Sequence, residues 1–202
     1  MNSLKTALCL GLLTLAGNAA AADQWFVRAG LHNVDPKSDN GSLAGGALDA
    51  RIGSDLKPTL VIGRFLDDNW ALELLASAPF NHDVKLNGTK AADFKHLPPT
   101  LSVQYYFGQP GEFRPFVGVG VNYTWTYDEK ETGPLTGTRL KLGNSVGPAV
   151  QLGFQTELTD SLHLVGDVRW VDIDASVSVD RNRVGEVAVD PLVYGVYLGW
   201  RF

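Results

Sequence analysis

The sequence predicts an all-β fold, an eight-stranded antiparallel up-and-down transmembrane β-barrel, on three observations. Eight segments alternate apolar and polar residues at period two, the signature of strands whose two faces meet different surroundings. Long and short connections alternate between those segments, as in a barrel with tight turns at one rim and loops at the other. The second face of each segment is made of small residues with isolated charges. A soluble sandwich would carry a generously charged solvent face there, whereas a narrow barrel must fit side chains from opposite walls into limited space.

Before the first strand lies a processing signal. Lys5, the apolar run 7–15 and the small residues 19–22 read as a cleavable signal peptide over residues 1–22, leaving a single barrel domain over residues 23–202. Cys9, the only cysteine, falls inside that segment, which excludes disulfides, thiolate metal sites and a cysteine nucleophile from the mature chain. The chain carries 17 Lys and Arg against 22 Asp and Glu, and loss of Lys5 makes the balance more acidic still, which argues against nucleic acid as a partner. No apolar run after the signal is long enough for a membrane helix, and barrel strands of about 9 to 11 alternating residues leave the mean hydropathy near zero.

In chain order, the first strand sets Trp25, Val27, Ala29 and Leu31 against Phe26, Arg28, Gly30 and His32. The second, near Thr59 to Leu66, is apolar on both faces and its parity is ambiguous; it ends in the turn at Asp67. The third aligns Trp70, Leu72, Leu74, Ala76, Ala78 and Phe80 opposite Glu73, and the fourth aligns Leu101, Val103, Tyr105 and Phe107 opposite Ser102, Gln104 and Tyr106. The fifth is the longest row, Val117, Val119, Val121, Tyr123, Trp125 and Tyr127. The sixth carries Val146, Pro148, Val150, Leu152 and Phe154, and the seventh Leu162, Leu164, Val168 and Trp170. Beyond Trp170 the apolar role passes to Val171, Ile173, Ala175 and Val177, a change of parity that predicts a β-bulge. The eighth strand, Leu192 to Phe202, closes the barrel against the first. Connections 33–57, 81–92, 131–142 and 180–185 are read as loops, and those at Asp67, Gly108 and Thr159 as tight turns.

If the apolar rows face lipid, the charges opposite them face the lumen. Arg28, Glu73, Asp167, Arg169 and Arg201 then predict an interior ion-pair cluster that plugs the short-turn end, because isolated buried charges cost several kcal/mol. Trp25, Trp70, Phe107, Phe154, Trp200 and Phe202 would form the girdle at that end, and Tyr123, Trp125, Tyr127, Trp170 and Tyr194 the outer one.

Little in the sequence points to catalysis. His32, His82, His96 and His163 lack metal-binding spacing, and no nucleophile elbow or P-loop is present, so no metal, cofactor or enzymatic activity is expected. The unusual feature is "HLPPT", residues 96–100. Proline donates no ladder hydrogen bond, so Pro98 and Pro99 just ahead of a regular strand predict a gap in the barrel wall near the outer rim.

These residues carry a resemblance. "WALELLASAPFNHDV" (70–84), "HLPPTLSVQYYF" (96–107), "RPFVGVGVNYTWTYDE" (114–129), "DVRWVDIDASV" (167–177) and "DPLVYGVYLGWRF" (190–202) are similar to the OmpW family of small outer-membrane proteins, in family order. The resemblance implies a narrow, largely hydrophobic channel, open outward and closed toward the periplasm. It implies passive uptake of small hydrophobic molecules, in some members alkanes or small amino acids, with lateral exit into the membrane at a gate marked here by Leu97, Pro98 and Pro99. Outer-membrane lipid, lipopolysaccharide and the solute would be the partners, together with the assembly machinery that reads a C-terminal aromatic such as Phe202, with Trp200 two residues before it. No feature specifies an oligomeric state. The short segment 180–185 implies a shallow outer funnel. Two other readings remain open at this stage, a structural or surface-interaction barrel and a lipid-modifying outer-membrane enzyme using His96.

Overall fold

The computed structural model describes residues 25–202, and the proposed signal peptide, with Cys9, lies outside the described residues. From the short-turn rim the chain rises as β1 (Trp25–Asp35), crosses the far rim through β2 (Ser42–Leu43) and β3 (Leu48–Ile52), and descends as β4 (Asp55–Phe65). After the turn at Asp67 it rises as β5 (Trp70–Ser77) and β6 (Phe80–Leu86), then returns as β7 (Thr89–Leu97) and β8 (Thr100–Tyr106). The longest strand, β9 (Arg114–Glu131), is followed by β10 (Leu140–Leu142) and β11 (Ser145–Glu157). The last circuit rises as β12 (Leu162–Val171) and β13 (Asp174–Val179) and descends as β14 (Asn182–Ala188) and β15 (Leu192–Arg201).

Eight of these strands form a closed antiparallel barrel in the order β1-β4-β5-β8-β9-β11-β12-β15, with β15 returning to β1. Closure consumes the C-terminus: Phe26 sits opposite Arg201, and the backbone of Trp25 and Phe202 exchanges both amide hydrogen bonds, at 3.2 and 2.9 Å. The turns at the near rim are set by side-chain acceptors. Asp67 Oδ1 accepts from the amides of Asn69 and Trp70, and Thr159 Oγ1 from that of Leu162.

The long connections are not loops. Segment 81–92 forms most of the β6–β7 hairpin, 180–185 is the tip of the β13–β14 hairpin, and 131–142 ends in β10, which pairs with β13. Strands β3, β6 and β7 continue the wall alongside β9, and β10, β13 and β14 form a second sheet above β11, β12 and β15. The expected shallow funnel is therefore corrected to a tall one. Short tip turns at Asn87 and Gly88, and at Asp180 and Arg181, use positive φ where strands reverse direction; brevity at 180–185 reports a tight hairpin turn rather than a low wall.

Burial follows parity through the barrel. Leu60, Leu72, Leu101, Val119, Leu152 and Val196 point outward and exposed, while Arg28, Glu73, Gln104, Gln155 and Tyr197 point inward and buried. The expected bulge after Trp170 is absent. His163, Asp167, Arg169, Val171, Ile173, Ala175 and Val177 all face inward in unbroken alternation. What changes at Val171 is the chemistry of the interior, not the direction of the strand. A true change of parity occurs instead at Ser77–Pro79, after which Phe80 faces inward rather than toward lipid as the alternation predicted.

Candidate functional site: the lumen and the break in its wall

The lower lumen is filled by a connected set of charged and polar side chains. Glu73 on β5 is the hub. Its carboxylate accepts from Arg28 at 2.8 Å, Arg169 at 2.9 Å and Gln104 at 2.7 Å. Arg169 also bonds Asp167 at 3.0 Å, and Arg28 donates to the Tyr106 hydroxyl at 2.6 Å and to Gln155 at 3.2 Å. Tyr106 in turn donates to Gln104 at 2.8 Å. Two guanidiniums face two carboxylates, so the cluster is neutral, and both arginines are buried to within 2 % of complete exclusion. Cross-linking between five strands makes this desolvation tolerable, since each charge has several partners.

Four of the five charges expected in the cluster, Arg28, Glu73, Asp167 and Arg169, meet there. Arg201 does not join that hydrogen-bonded set. It lies nearer the short-turn mouth, 3.7 Å from Glu157, with its guanidinium 4.9 Å from the centre of the Phe65 ring. As the last residue of β15 it lies at the rim, within reach of the β11 terminus but below the Glu73 layer. Arg114, which charge reading passed over, is buried close by, donating to the Asp68 carbonyl and lying over Tyr106 and Phe65. Beneath the cluster Phe26, Phe65 and Phe116 complete an aromatic layer. The signal that would have found Arg114 and the neutral partners was parity: all occupy inward positions of their strands.

Glycines on the inner wall make room for this filling. A Cβ at Gly195 would collide with Asp167 and His32, and one at Gly118 would collide with Gln151. His32 and Tyr197 share a short contact beside Asp167, so the first histidine is a member of the polar filling.

Above the cluster the lumen becomes hydrophobic. Leu43, Ala50, Ile52, Leu86, Phe94, Leu140, Leu142, Val177 and Val187 enclose a funnel of about 210 Å³ lined entirely by apolar side chains. Between funnel and cluster lies a smaller cavity, lined by Val34, Leu75, Phe80, Val171, Ile173 and Val193 together with His32, His96, Thr100, Asn122, Arg169 and Pro98.

Pro98 opens that cavity toward the wall. The β5–β8 ladder stops at Leu75 opposite Thr100, and the β6–β7 ladder starts at Phe80 opposite His96. Between them, Leu97, Pro98 and Pro99 have no ladder partner on the β5–β6 side, while Ala76 and Ser77 of β5 still pair with Leu60 and Thr59 of β4. On the other side the segment stays attached: Leu97 pairs with Trp125, the amide of Tyr123 donates to the Pro99 carbonyl at 3.0 Å, and Asn122 Nδ2 donates to the carbonyls of Pro98 and Pro99 at 3.1 and 3.2 Å. The missing proline N–H groups thus create a one-sided seam.

Just above the seam stands a buried histidine pair. His82 and His96 approach Nε2 to Nε2 at 3.0 Å among Phe80 and Phe94, and His82 Nδ1 is hydrogen bonded to the Gly53 carbonyl. Burial holds both imidazoles below the ordinary histidine range, His96 down to about 3. The outer aromatics Tyr123, Trp125, Trp170 and Tyr194 and the near-rim aromatics Trp70, Phe107, Phe154, Trp200 and Phe202 are exposed on the outside of the wall, in two belts.

Comparison with known proteins agrees with this architecture. Residues 21–202 match the model of the OmpW family. Outer membrane protein W of Vibrio cholerae is 32% identical over 98% of this chain and 100% of its own length, and that of Escherichia coli K12 is 33% identical over the full length of both. The crystal structure of the outer membrane protein OprG from Pseudomonas aeruginosa superposes with a TM-score of 0.80 at 35% identity, covering 90% of this chain and 97% of that one. With the barrel closed on itself and its apolar rows turned outward, the chain belongs to the OmpW family and is a β-barrel of the Gram-negative outer membrane.

Proposed function

We propose that the protein is a passive channel for small hydrophobic molecules, which enter the apolar funnel from outside and leave sideways into the membrane through the seam at Leu97, Pro98 and Pro99. The observation that carries this reading is the coincidence of three features at one height: the apolar funnel ends, the charged cluster begins, and the wall loses its ladder on one side. A solute descending the funnel meets a filled lumen below and an unpaired wall beside it. Crossing the Glu73 layer would mean breaking buried ion pairs, whereas parting the seam breaks no backbone hydrogen bond across it. No energy source is needed, because the solute moves down its gradient from an apolar pocket into lipid.

The role of plug falls to Arg28, Glu73, Asp167 and Arg169. A lipid-modifying activity at His96 finds little support, since its Nε2 faces His82 instead of a hydroxyl nucleophile. A purely structural barrel would have no use for a cavity lined only by apolar side chains. The test is uptake of a short alkane by vesicles or cells carrying the protein. Replacing both prolines, Pro98→Ala with Pro99→Ala, restores two N–H donors and should slow uptake several-fold while the barrel still assembles. Uptake equal to the parent in a folded double variant would remove the lateral exit from the proposal.

A further inference from the structure

Of the described residues lining the cavity between funnel and plug, Arg169 alone has buried side-chain N–H groups without an acceptor. At the seam, Asn122 Nδ2 is already bonded to the Pro98 and Pro99 carbonyls and to Thr100 Oγ1, the Thr100 hydroxyl donates to Pro98, and Thr124 donates to Asn122 Oδ1. His96 is paired with His82, and His32 with Tyr197. Arg169 differs. It lines the cavity and is 2 % exposed; its Nη2 serves both Glu73 and Asp167, while Nη1 and Nε meet no acceptor among the described residues. Buried polar groups are nearly always hydrogen bonded, and a guanidinium is the side chain least able to escape the requirement by losing its proton. An orphaned N–H on a cation at the floor of an apolar passage is suited to an anionic oxygen arriving from above.

The walls above that floor specify the rest of such a ligand. Val34, Phe80, Val171, Ile173 and Val193, which line the cavity, belong to the same hydrophobic cluster as the funnel residues, so an alkyl chain would lie against apolar surface from Arg169 upward. Resting on the channel reading above, we infer that the solute class includes single-headed anionic amphiphiles, medium-chain carboxylates, whose head is held by Arg169 Nη1 while the tail occupies the funnel or turns into the seam beside Pro98. The neutral plug thereby has a second task, presenting one cationic donor to the passage.

The experiment uses the barrel reconstituted in phosphatidylcholine nanodiscs, with empty nanodiscs as the background and the neutral apolar fluorophore N-phenylnaphthylamine as the bound probe. Octane, octanol, octanoate and octylamine are compared as displacers at a pH where octanoate is ionised. The expected result is displacement by octanoate at about tenfold lower concentration than by octanol, with octylamine weakest, as a charge-assisted hydrogen bond would give. In Arg169→Lys, which keeps the charge but moves the donor, the octanol-to-octanoate ratio should fall toward one. Equal displacement by octanol and octanoate in the unaltered protein, a result independent of any variant's folding, overturns the inference; so does an Arg169→Lys ratio that stays as it was. If octane and octanol displace the probe but octanoate has no advantage, the head-group site fails and the channel reading stands. If the probe does not bind and octane has no effect, both fail together.

Discussion

The lower and upper halves of this lumen are built by inward-facing positions of strands that follow one another along the chain, yet their chemistry is opposite. On β12 and β13 a single parity runs from Asp167 and Arg169 to Val171, Ile173, Ala175 and Val177. In the lower half the outside is apolar, with Leu72, Val119, Leu152 and Leu198 exposed, and the inside holds the ion pairs. In the upper half the outside carries Lys90 between Asp83 and Asp93, Lys95 with Asp128 and Arg183 with Glu186, and the inside is lined by apolar side chains. The reversal follows from what surrounds the wall. Lipid accepts only apolar side chains, which leaves the polar ones to the lumen; above the bilayer, water takes the polar side and the apolar side turns inward. A small barrel can therefore be filled and closed at one height and hollow at the next without a change of fold.

The largest expected effect comes from removing the hub of the lower half. Glu73→Ala leaves Arg28 without its carboxylate partner and Arg169 with only one, and should destabilise the barrel by about 3–5 kcal/mol, the usual cost of breaking a buried pair. The temperature at which the folded form is lost on heat-modifiability gels measures it; an unchanged midpoint would mean that the cluster is not a structural plug. Deletion of Phe202 attacks the same end differently. It removes the backbone pair with Trp25 and an exposed terminal aromatic, and several-fold less assembled protein is expected in cells, with normal uptake per assembled molecule. Normal assembly would argue against Trp200 and Phe202 as the signal read by the assembly machinery.

In the upper half the test is pH. His82 and His96 are held neutral in the folded hairpin, His96 with its proton affinity depressed to about 3. The locally opened hairpin binds protons near the ordinary histidine value while the closed one does not, so stability present above about pH 6.5 is lost as the pH falls toward about 3. Amide protection factors at Phe94 and His96, which take out the intrinsic pH dependence of exchange, should fall on the order of tenfold between about pH 7 and about pH 5, and His96→Gln should flatten that dependence. Smallest of all is Arg201→Ala, because its pair with Glu157 is long and part-exposed; a cost below about 1 kcal/mol is expected. A loss as large as that for Glu73→Ala would place Arg201 back among the plug residues.

Much of this was legible in the chain, and the reason is local. Strand alternation, the eight apolar rows, the order of turns and the meaning of the proline pair depend on period and on the missing proline N–H, which neighbours cannot alter. The partners of the charges were harder to see. Tyr106, Gln104 and Gln155 are neutral, and what makes them part of the cluster is distance across the lumen, from Arg28 on β1 to Tyr106 on β8 and Gln155 on β11. Arg201 misled because charge and parity were right and height was wrong. Segments 81–92 and 180–185 misled because polar composition at a rim reads as loop, although their backbones pair.

By itself, then, the sequence determined the barrel, its strand count, the lipid-facing rows and the place where the wall weakens, all consequences of side-chain period and backbone chemistry. Only the tertiary structure decided that the apolar run from Val171 continues the inner face, that the outer strands rise into a funnel, and that Arg169 is left with an unpaired donor at its base. Those depend on strand stagger and closure, which set the height at which residues distant in sequence meet.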